Sequence, residues 1–398
     1  MNWMHKVSGM YFCTISSEVS VNFAVDKMSI GVVFGGPSDE HDVSVLTGLQ
    51  ALHELHGAVR KVLGIYWSKP GDFYRVPPVL EAMEFRDGVP RVAEPLVLEV
   101  GPRGGFAHRS RMAKKHIPLD VVVNCCHGGP GEDGTLQAML EMAGLSFTGQ
   151  GVAGSALSMD KLAFYGVAVS AGIPVLPRIL LSSESEGSRS EDVPFDPPYI
   201  VKPRFGGSSI GVEVVADLVT AYARAKVSPY LQRGAVLEPY RPDLADLNVA
   251  VRCFPAIEVS AVERPLRQSD SEEILSYEDK YSGREGMASA PRELPAKVDA
   301  TVMANIADIS RSLIDLVALR GITRVDFLWG EGELYLNEVN SIPGSLARYL
   351  WIDPERRFIE LLDGMISEAL AGPAVTYSAL GADGSVLEKA SDMASKLA

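Results

Sequence analysis

The 398-residue chain holds only four cysteines, Cys13, Cys125, Cys126 and Cys253, and none stands at CxxC spacing. That excludes a disulfide framework and a cysteine-rich metal centre, and it points to the reducing cytosol. Cys125 and Cys126 follow the apolar Val121-Val122-Val123 and read as core thiols. No apolar run reaches the length of a membrane span. Residues 1–28 do not read as a signal peptide, because Ser, Glu and Asn interrupt their apolar residues. Positive charge is scarce as well. Lys and Arg number 37 against 51 Asp and Glu, and the net charge of −14 argues against a nucleic-acid footprint. There is no GxxxxGK[ST] loop. Gly149-Gln150-Gly151-Val152-Ala153-Gly154 is formally GxGxxG, but a dinucleotide fold needs an acid about 20 residues further on. Residues 172–178 supply none. A glycine-rich domain connection is the better reading.

What is present is ordinary in bulk, with 46% hydrophobic and 22% charged residues. The length calls for two or three domains. Strands expected at 30–34, 58–66 and 119–125 alternate with helices at 43–55 and 134–142. That alternation predicts a parallel α/β sheet, whose ligands bind at the carboxyl ends of the strands. Residues 35–40 and 127–133 occupy such positions. A helix over 155–171 and strands over 179–182 and 199–203 follow, with a Ser/Glu-rich excursion at 182–196. Two prolines in 239–246 mark a crossing between domains. The polar stretch 264–295 is long for a loop and reads as a lid. A helix is expected over 298–319. The expected division is an extension at 1–28 (or a start at Met28), an N-terminal domain at 29–150, a central lobe at 151–237, a C-terminal lobe at 238–372 and a tail at 373–398.

Chemistry concentrates in a hairpin. Thr323-Arg324-Val325-Asp326-Phe327 and Leu336-Asn337-Glu338-Val339-Asn340 flank a turn at Gly330-Glu331-Gly332-Glu333. With the turn centred on Gly332, Asp326 falls opposite Glu338 and Arg324 opposite Asn340. All four then share one face. Val325, Phe327, Trp329, Tyr335 and Val339 are assigned to the other, core-facing side. The polar face is either a salt-bridged solvent face or a site for hard divalent cations held through oxygen ligands. A second motif, Lys202-Pro203-Arg204-Phe205-Gly206-Gly207-Ser208-Ser209-Ile210-Gly211-Val212, follows an apolar strand. It is either a glycine-rich hairpin or a phosphate cover whose backbone N–H groups close over the ligand, with Lys202 neutralising charge.

Together with these two motifs, the chain resembles the D-alanine-D-alanine ligase group of the ATP-grasp superfamily at Phe34–Ser44, His127–Gln137, Ser155–Lys161 and Tyr277–Tyr281. The matches occur in the family's order across roughly residues 29–372. The resemblance implies a three-domain α/β fold, in which an N-terminal parallel α/β domain precedes two lobes that clamp ATP. It implies an ADP-forming ligase that joins a carboxylate to an amine through an acylphosphate, most simply making D-alanyl-D-alanine for peptidoglycan; a peptide or amide ligase with another amino-acid acceptor is the alternative. Lys161 and Lys202 match phosphate-binding lysines, Glu238 the adenine segment and Asp246 the ribose acid. Asp326, Glu338 and Asn340 match the ligands of two magnesium ions, with manganese as a substitute. Arg324 and the Gly344 N–H would face the oxyanion, and Lys280 the transferred phosphoryl group. Glu40, Ser208 and Tyr281 would hold the first substrate's ammonium and close the lid. His127 falls in the substrate turn. The segment after Pro343-Gly344 departs from the family: Ser345–Trp351 carries Arg348 and Tyr349 where a small serine would receive the acceptor's carboxylate. Small-molecule partners, a homodimer and a cytoplasmic location are the remaining expectations, with neither nucleic acid nor membrane.

Overall fold

The computed structural model describes residues 25–101, 103–109, 115–181, 193–266, 291–372 and 377–388. Lys280, Tyr281, Cys13 and most of the expected lid and Ser/Glu-rich excursion lie outside the described residues. The first sheet contains β1 (Ser29–Gly35), β2 (Lys61–Trp67), β3 (Phe73–Val76), β4 (Glu94–Glu99), β5 (Gly105–His108) and β6 (Val121–Asn124). Its order is β5-β4-β3-β2-β1-β6. Only β2, β1 and β6 run parallel; β3 to β5 extend the sheet as an antiparallel meander. The expected parallel sheet is thus the centre of a mixed one. The meander strands are short and broken by Gly and Pro, so they give no periodic run to read. Every residue of β1 is buried, as befits a parallel strand covered on both faces.

The helix His41–Gly57 packs on β1. Gly48 permits the approach, because a Cβ there would lie 2.2 Å from the Phe34 Cβ. Cys126 is a fully buried free thiol of a second cluster, with Val33 and Ile65, and Cys125 is one in this core. Val25 and Met28 also pack into it, so ordered packing begins within the stretch expected as an extension.

The second sheet, order β7-β10-β8-β9, is antiparallel and contains β7 (Ile179–Leu181), β8 (Tyr199–Pro203), β9 (Glu213–Val215) and β10 (Ala235–Pro239). Residue 238 therefore belongs to this sheet, and the crossing comes after Pro239. The third sheet has β11 (Ala245–Arg252), β12 (Glu258–Val259), β15 (Ile322–Gly330) and β16 (Glu333–Asn340) in the order β12-β11-β15-β16, all antiparallel. A two-stranded ribbon joins β13 (Arg264–Pro265) to β14 (Arg292–Glu293). The amphipathic helix Ala300–Leu316 buries Val302, Ile306 and Leu313 with the core face of the third sheet. The single helix expected over 155–171 is two, Val152–Met159 and Lys161–Ser170. The chain breaks at Asp160, whose carboxylate caps the second helix by accepting the Leu162 and Ala163 N–H groups. Among the described residues no helix is long and apolar enough to cross a membrane.

The hairpin pairs Arg324 with Asn340 and Asp326 with Glu338, in the expected register. Nearer the turn the register changes: Phe327 pairs with Leu336, so Asn337 is an extra residue in β16. This bulge corrects the assignment of Tyr335 to the core. Leu336 takes that place at 1% exposure, while Tyr335 lies opposite Leu328 and donates its hydroxyl to Glu333 at 2.8 Å.

Gly48→Ala is expected to destabilise the protein by about 1–3 kcal/mol through overpacking against Phe34. Gly57→Ala meets open space at the end of the same helix and should be neutral or stabilising. Urea denaturation midpoints of the two variants check this.

Candidate active site

The carboxyl end of β1, the loop after β8, the end of β10 and the polar face of β11, β15 and β16 line one cleft with a cavity volume of about 320 Å³, a size suited to small molecules. Its lining includes Glu40, His127, Lys161, Lys202, Ser208, Glu238, Asp246, Arg324, Asp326, Glu338, Asn340, Gly344 and Tyr349. Residues dispersed over some 300 positions thus converge, as the sequence motifs implied. Arg348 is the exception. It is exposed and holds its guanidinium 5.2 Å over the Phe358 ring, away from the cleft lining.

The floor is a cross-strand row. Glu338 lies opposite Asp326, Asp326 opposite Asn248, and Asn248 opposite Glu263. Directly opposed residues share a face, so two carboxylates sit side by side and a third lies one amide away. Arg324 binds Asp326 through one edge of its guanidinium, Nε and Nη2 each donating over 2.7 Å. The Asn340 amide donates to the same carboxylate at 2.9 Å. Lys161 Nζ lies 3.8 Å from Glu338. Among the described residues no group of three or more His, Cys, Asp or Glu side chains converges as a metal site. The candidate set here is two carboxylates and the Asn340 amide, hard oxygen donors that suit a cation completing its shell with phosphate and water oxygens.

Across the cleft, cations gather around one buried acid. Glu238 is 1% exposed and meets Lys202 Nζ at 2.7 Å and Arg178 Nε at 2.6 Å. Burial opposes its charge, yet Lys202 and Arg178 outweigh that and hold its carboxyl below the usual range. Burial, opposed by Glu338, pulls the ammonium of Lys161 below its ordinary value, and Lys202 and Arg178 add to the effect. Two cations share the Glu238 carboxylate with Lys161 close by, leaving a net positive wall. Arg178 also donates to the Lys161 carbonyl at 2.6 Å. Arg204 grips Asp160 at 2.7 and 2.6 Å, which pins the glycine loop to the start of the Lys161 helix. Lys161 Nζ donates to the Gly206 carbonyl.

The first sheet supplies the third wall. Glu40, at the start of the helix His41–Gly57, accepts a hydrogen bond from Ser208. A Cβ at Gly128, where φ is +61°, would lie 2.3 Å from the Glu40 carboxylate, so glycine is required there. Glu132 accepts the Gly128 N–H at 2.9 Å, the Ile342 N–H at 3.0 Å and the Ser341 hydroxyl at 3.1 Å. Burial raises its pKa against those bonds. His127 Nε2 lies 2.8 Å from the Thr47 hydroxyl, which accepts the Ser345 N–H at 3.1 Å. Glu132 and Thr47 therefore clamp the turn that carries Gly344.

Sequence reasoning missed Thr47, Glu132, Arg178, Asn248, Glu263 and Arg292. Glu132 stood inside a quoted motif, and Asn248 stands two residues after Asp246, on the same face of β11. Arg178, Glu263 and Arg292 carried no local signal.

Comparison with known proteins gives two family matches. Residues 29–150 match the model of the D-ala D-ala ligase N-terminus, and residues 167–356 that of the C-terminus. A D-alanine–D-alanine ligase of a Nitratiruptor species is 32% identical over 329 residues, 82% of this chain and 90% of that protein. One from Thermosipho africanus is 30% identical over 349 residues, 86% of this chain and 93% of that protein. The crystal structure of D-alanine-D-alanine ligase from Helicobacter pylori superposes with a TM-score of 0.66 at 27% identity, over 87% of this chain and 100% of that one. The VanG D-Ala:D-Ser ligase of Enterococcus faecalis, at 23% identity and a TM-score of 0.69 over 86% of this chain and 99% of its own, shares the fold.

Burial lowers the pKa of His127 from 6.5 to about 4. Between those values the unfolded chain binds the proton that the folded chain refuses, so stability falls as pH drops through that window. His127→Gln should remove this component. Chemical denaturation above pH ~6.5 and near pH ~5 would show a smaller loss in the variant than in wild type.

Proposed function

The chain belongs to the D-alanine–D-alanine ligase family, and we propose that it is an ATP-driven dipeptide ligase that joins two D-alanines for peptidoglycan precursor synthesis. The observation that carries this reading is the Asp326–Glu338 pair in ladder register on the cleft floor, with Arg324 beside it and the Lys161–Arg178–Lys202 wall opposite. In the proposed reaction a carboxylate oxygen of the first D-alanine attacks the γ-phosphorus of ATP, and ADP leaves. The amine of the second D-alanine then attacks the acyl carbon, and phosphate leaves as the amide forms. Glu40, backed by Ser208, holds the first ammonium. Lys161, Arg178 and Lys202 hold nucleotide phosphates by charge. Glu238 has its carboxylate committed to two of those cations, so the segment around it meets adenine with backbone rather than side chain; Asp246 takes the ribose. Arg324 and the Gly344 N–H face the oxyanion that develops at the acyl carbon. Asp326, Glu338 and Asn340 would hold magnesium, which supplies positive charge to the phosphates when bound.

The proposed units are 29–150, a central lobe ending with β10, and a C-terminal lobe to residue 372, assembled as a cytoplasmic homodimer. A second reading keeps the activation chemistry and changes the amino-acid acceptor. It is favoured by Tyr349, whose ring stands in the cleft lining.

Incubation with ATP, magnesium and D-alanine should release phosphate and yield D-alanyl-D-alanine, read by mass spectrometry. Phosphate release only with some other amino acid would overturn the substrate assignment. Arg324→Gln is expected to lower kcat by about 100- to 1000-fold while KM for ATP changes little, since its contacts strengthen at the oxyanion.

A further inference from the structure

One charged group in the cleft wall stands an amide away from the Asp326–Glu338 pair. Glu263 is 4% exposed and accepts hydrogen bonds from Arg292 Nη1 at 2.8 Å, the Asn248 amide at 3.2 Å and the Tyr349 hydroxyl at 3.3 Å. The Arg292 guanidinium also lies 4.9 Å over the Tyr349 ring. Held at one edge by a carboxylate and on one face by an aromatic ring, that guanidinium is pre-organised, so little rotamer entropy remains to be lost when it meets a ligand. Tyr349, in turn, has its hydroxyl hydrogen engaged by Glu263 and is a platform rather than a donor to substrate.

We propose that Arg292, positioned by Glu263 and Tyr349, reads the carboxylate of the acceptor amino acid. This rests on the ligase function proposed above. The acyl carbon forms beside Arg324 and Gly344, the first ammonium lies toward Glu40, and the phosphates lie toward Lys202. Those three directions leave the wall built by Glu263, Arg292 and Tyr349 for the second substrate. Asn248 fixes the distance, because it stands directly opposite Asp326 on one side and Glu263 on the other. The acceptor arrives as an amine that also bears a carboxylate, and a fixed planar fork with donors on two edges matches such a group. Tyr349 fills the space beside the fork and limits the acceptor to a small side chain. Glu263 and Tyr349 are positioning residues; Arg292 is the specificity group.

D-alaninamide separates the two substrate sites, since it has no carboxylate to activate and serves only as an acceptor. With D-alanine as donor, D-alanine and D-alaninamide compete as acceptors, and the two products are counted by mass spectrometry. Wild type should favour the free acid by at least about tenfold, and Arg292→Gln and Glu263→Gln should shrink that ratio toward unity. A residue that only supports the fold would lower both products together and leave the ratio unchanged, and that result would overturn the proposal. Arg292→Lys keeps the charge but loses the fork and the stacking, and should fall between wild type and Arg292→Gln. Hydroxylamine replaces the acceptor in a parallel assay, attacking the acyl carbon and releasing phosphate to give a hydroxamate. Continued hydroxamate formation by the variants keeps the activation half intact and supports the assignment. A wild type that forms no hydroxamate from ATP and D-alanine would overturn both the ligase reading and this one.

Discussion

Asp326 and Glu338 face each other across an antiparallel ladder, with their side chains on one face. Two carboxylates in that position repel, and the fold is viable only if charge is brought to them. Much of the cleft can be read as the means of doing so. Arg324, two residues along the same strand and therefore on the same face, lays its fork on Asp326. Asn340 adds an amide from the facing strand. Lys161 brings an ammonium to Glu338 from the other lobe. These groups form a compensated site in which a cation and phosphate oxygens can take over part of the neutralisation.

Bringing Lys161 there imposes conditions on the central lobe. The residue begins a helix because Asp160 breaks the preceding one and caps the next. Asp160 is itself gripped by Arg204, which ties the glycine loop to the same point. Lys161, Arg178 and Lys202 would repel one another if crowded without a counter-charge. Glu238, buried at the end of β10, allows two of them to sit close, and its burial makes each contact count for more than it would in water. Two opposite electrostatic problems thus stabilise each other across the cleft: an acidic floor and a cationic wall.

How far this was legible in the sequence depends on the range of the interaction. The Asp326–Glu338 opposition follows from a turn and a period of two, so short-range rules recover it. The bulge at Asn337 was written in the apolar spacing, two residues from Leu334 to Leu336 but three from Leu336 to Val339; reading the strand as one uninterrupted alternation misplaced Tyr335. Lys202 and Ser208 stood in a glycine-rich motif with its own local signal. Arg178 had no such signal, because its role exists only once β10 lies alongside β7 and sets Glu238 beside it. The antiparallel meander β3–β5 was hidden for a related reason: strands of four to six residues broken by turns give a periodic pattern too little length to register.

The same distinction bears on how the cleft divides its work. The Asp326–Glu338 floor sits on stiff, directly paired strands, where a change of one position would flip a side chain to the opposite face. The wall proposed for the acceptor is assembled differently. Tyr349 comes from the turn after β16, Arg292 from the start of a two-stranded ribbon, and Glu263 from a single bridge to Asn248. These attachments are shorter and fewer than those of the floor, so the wall can be altered without disturbing Asp326 or Glu338. Asn248 anchors it to the carboxylate row, donating to Glu263 from the position facing Asp326. A site built this way keeps the reaction fixed while leaving the choice of amine to a few side chains whose geometry is set by one buried carboxylate.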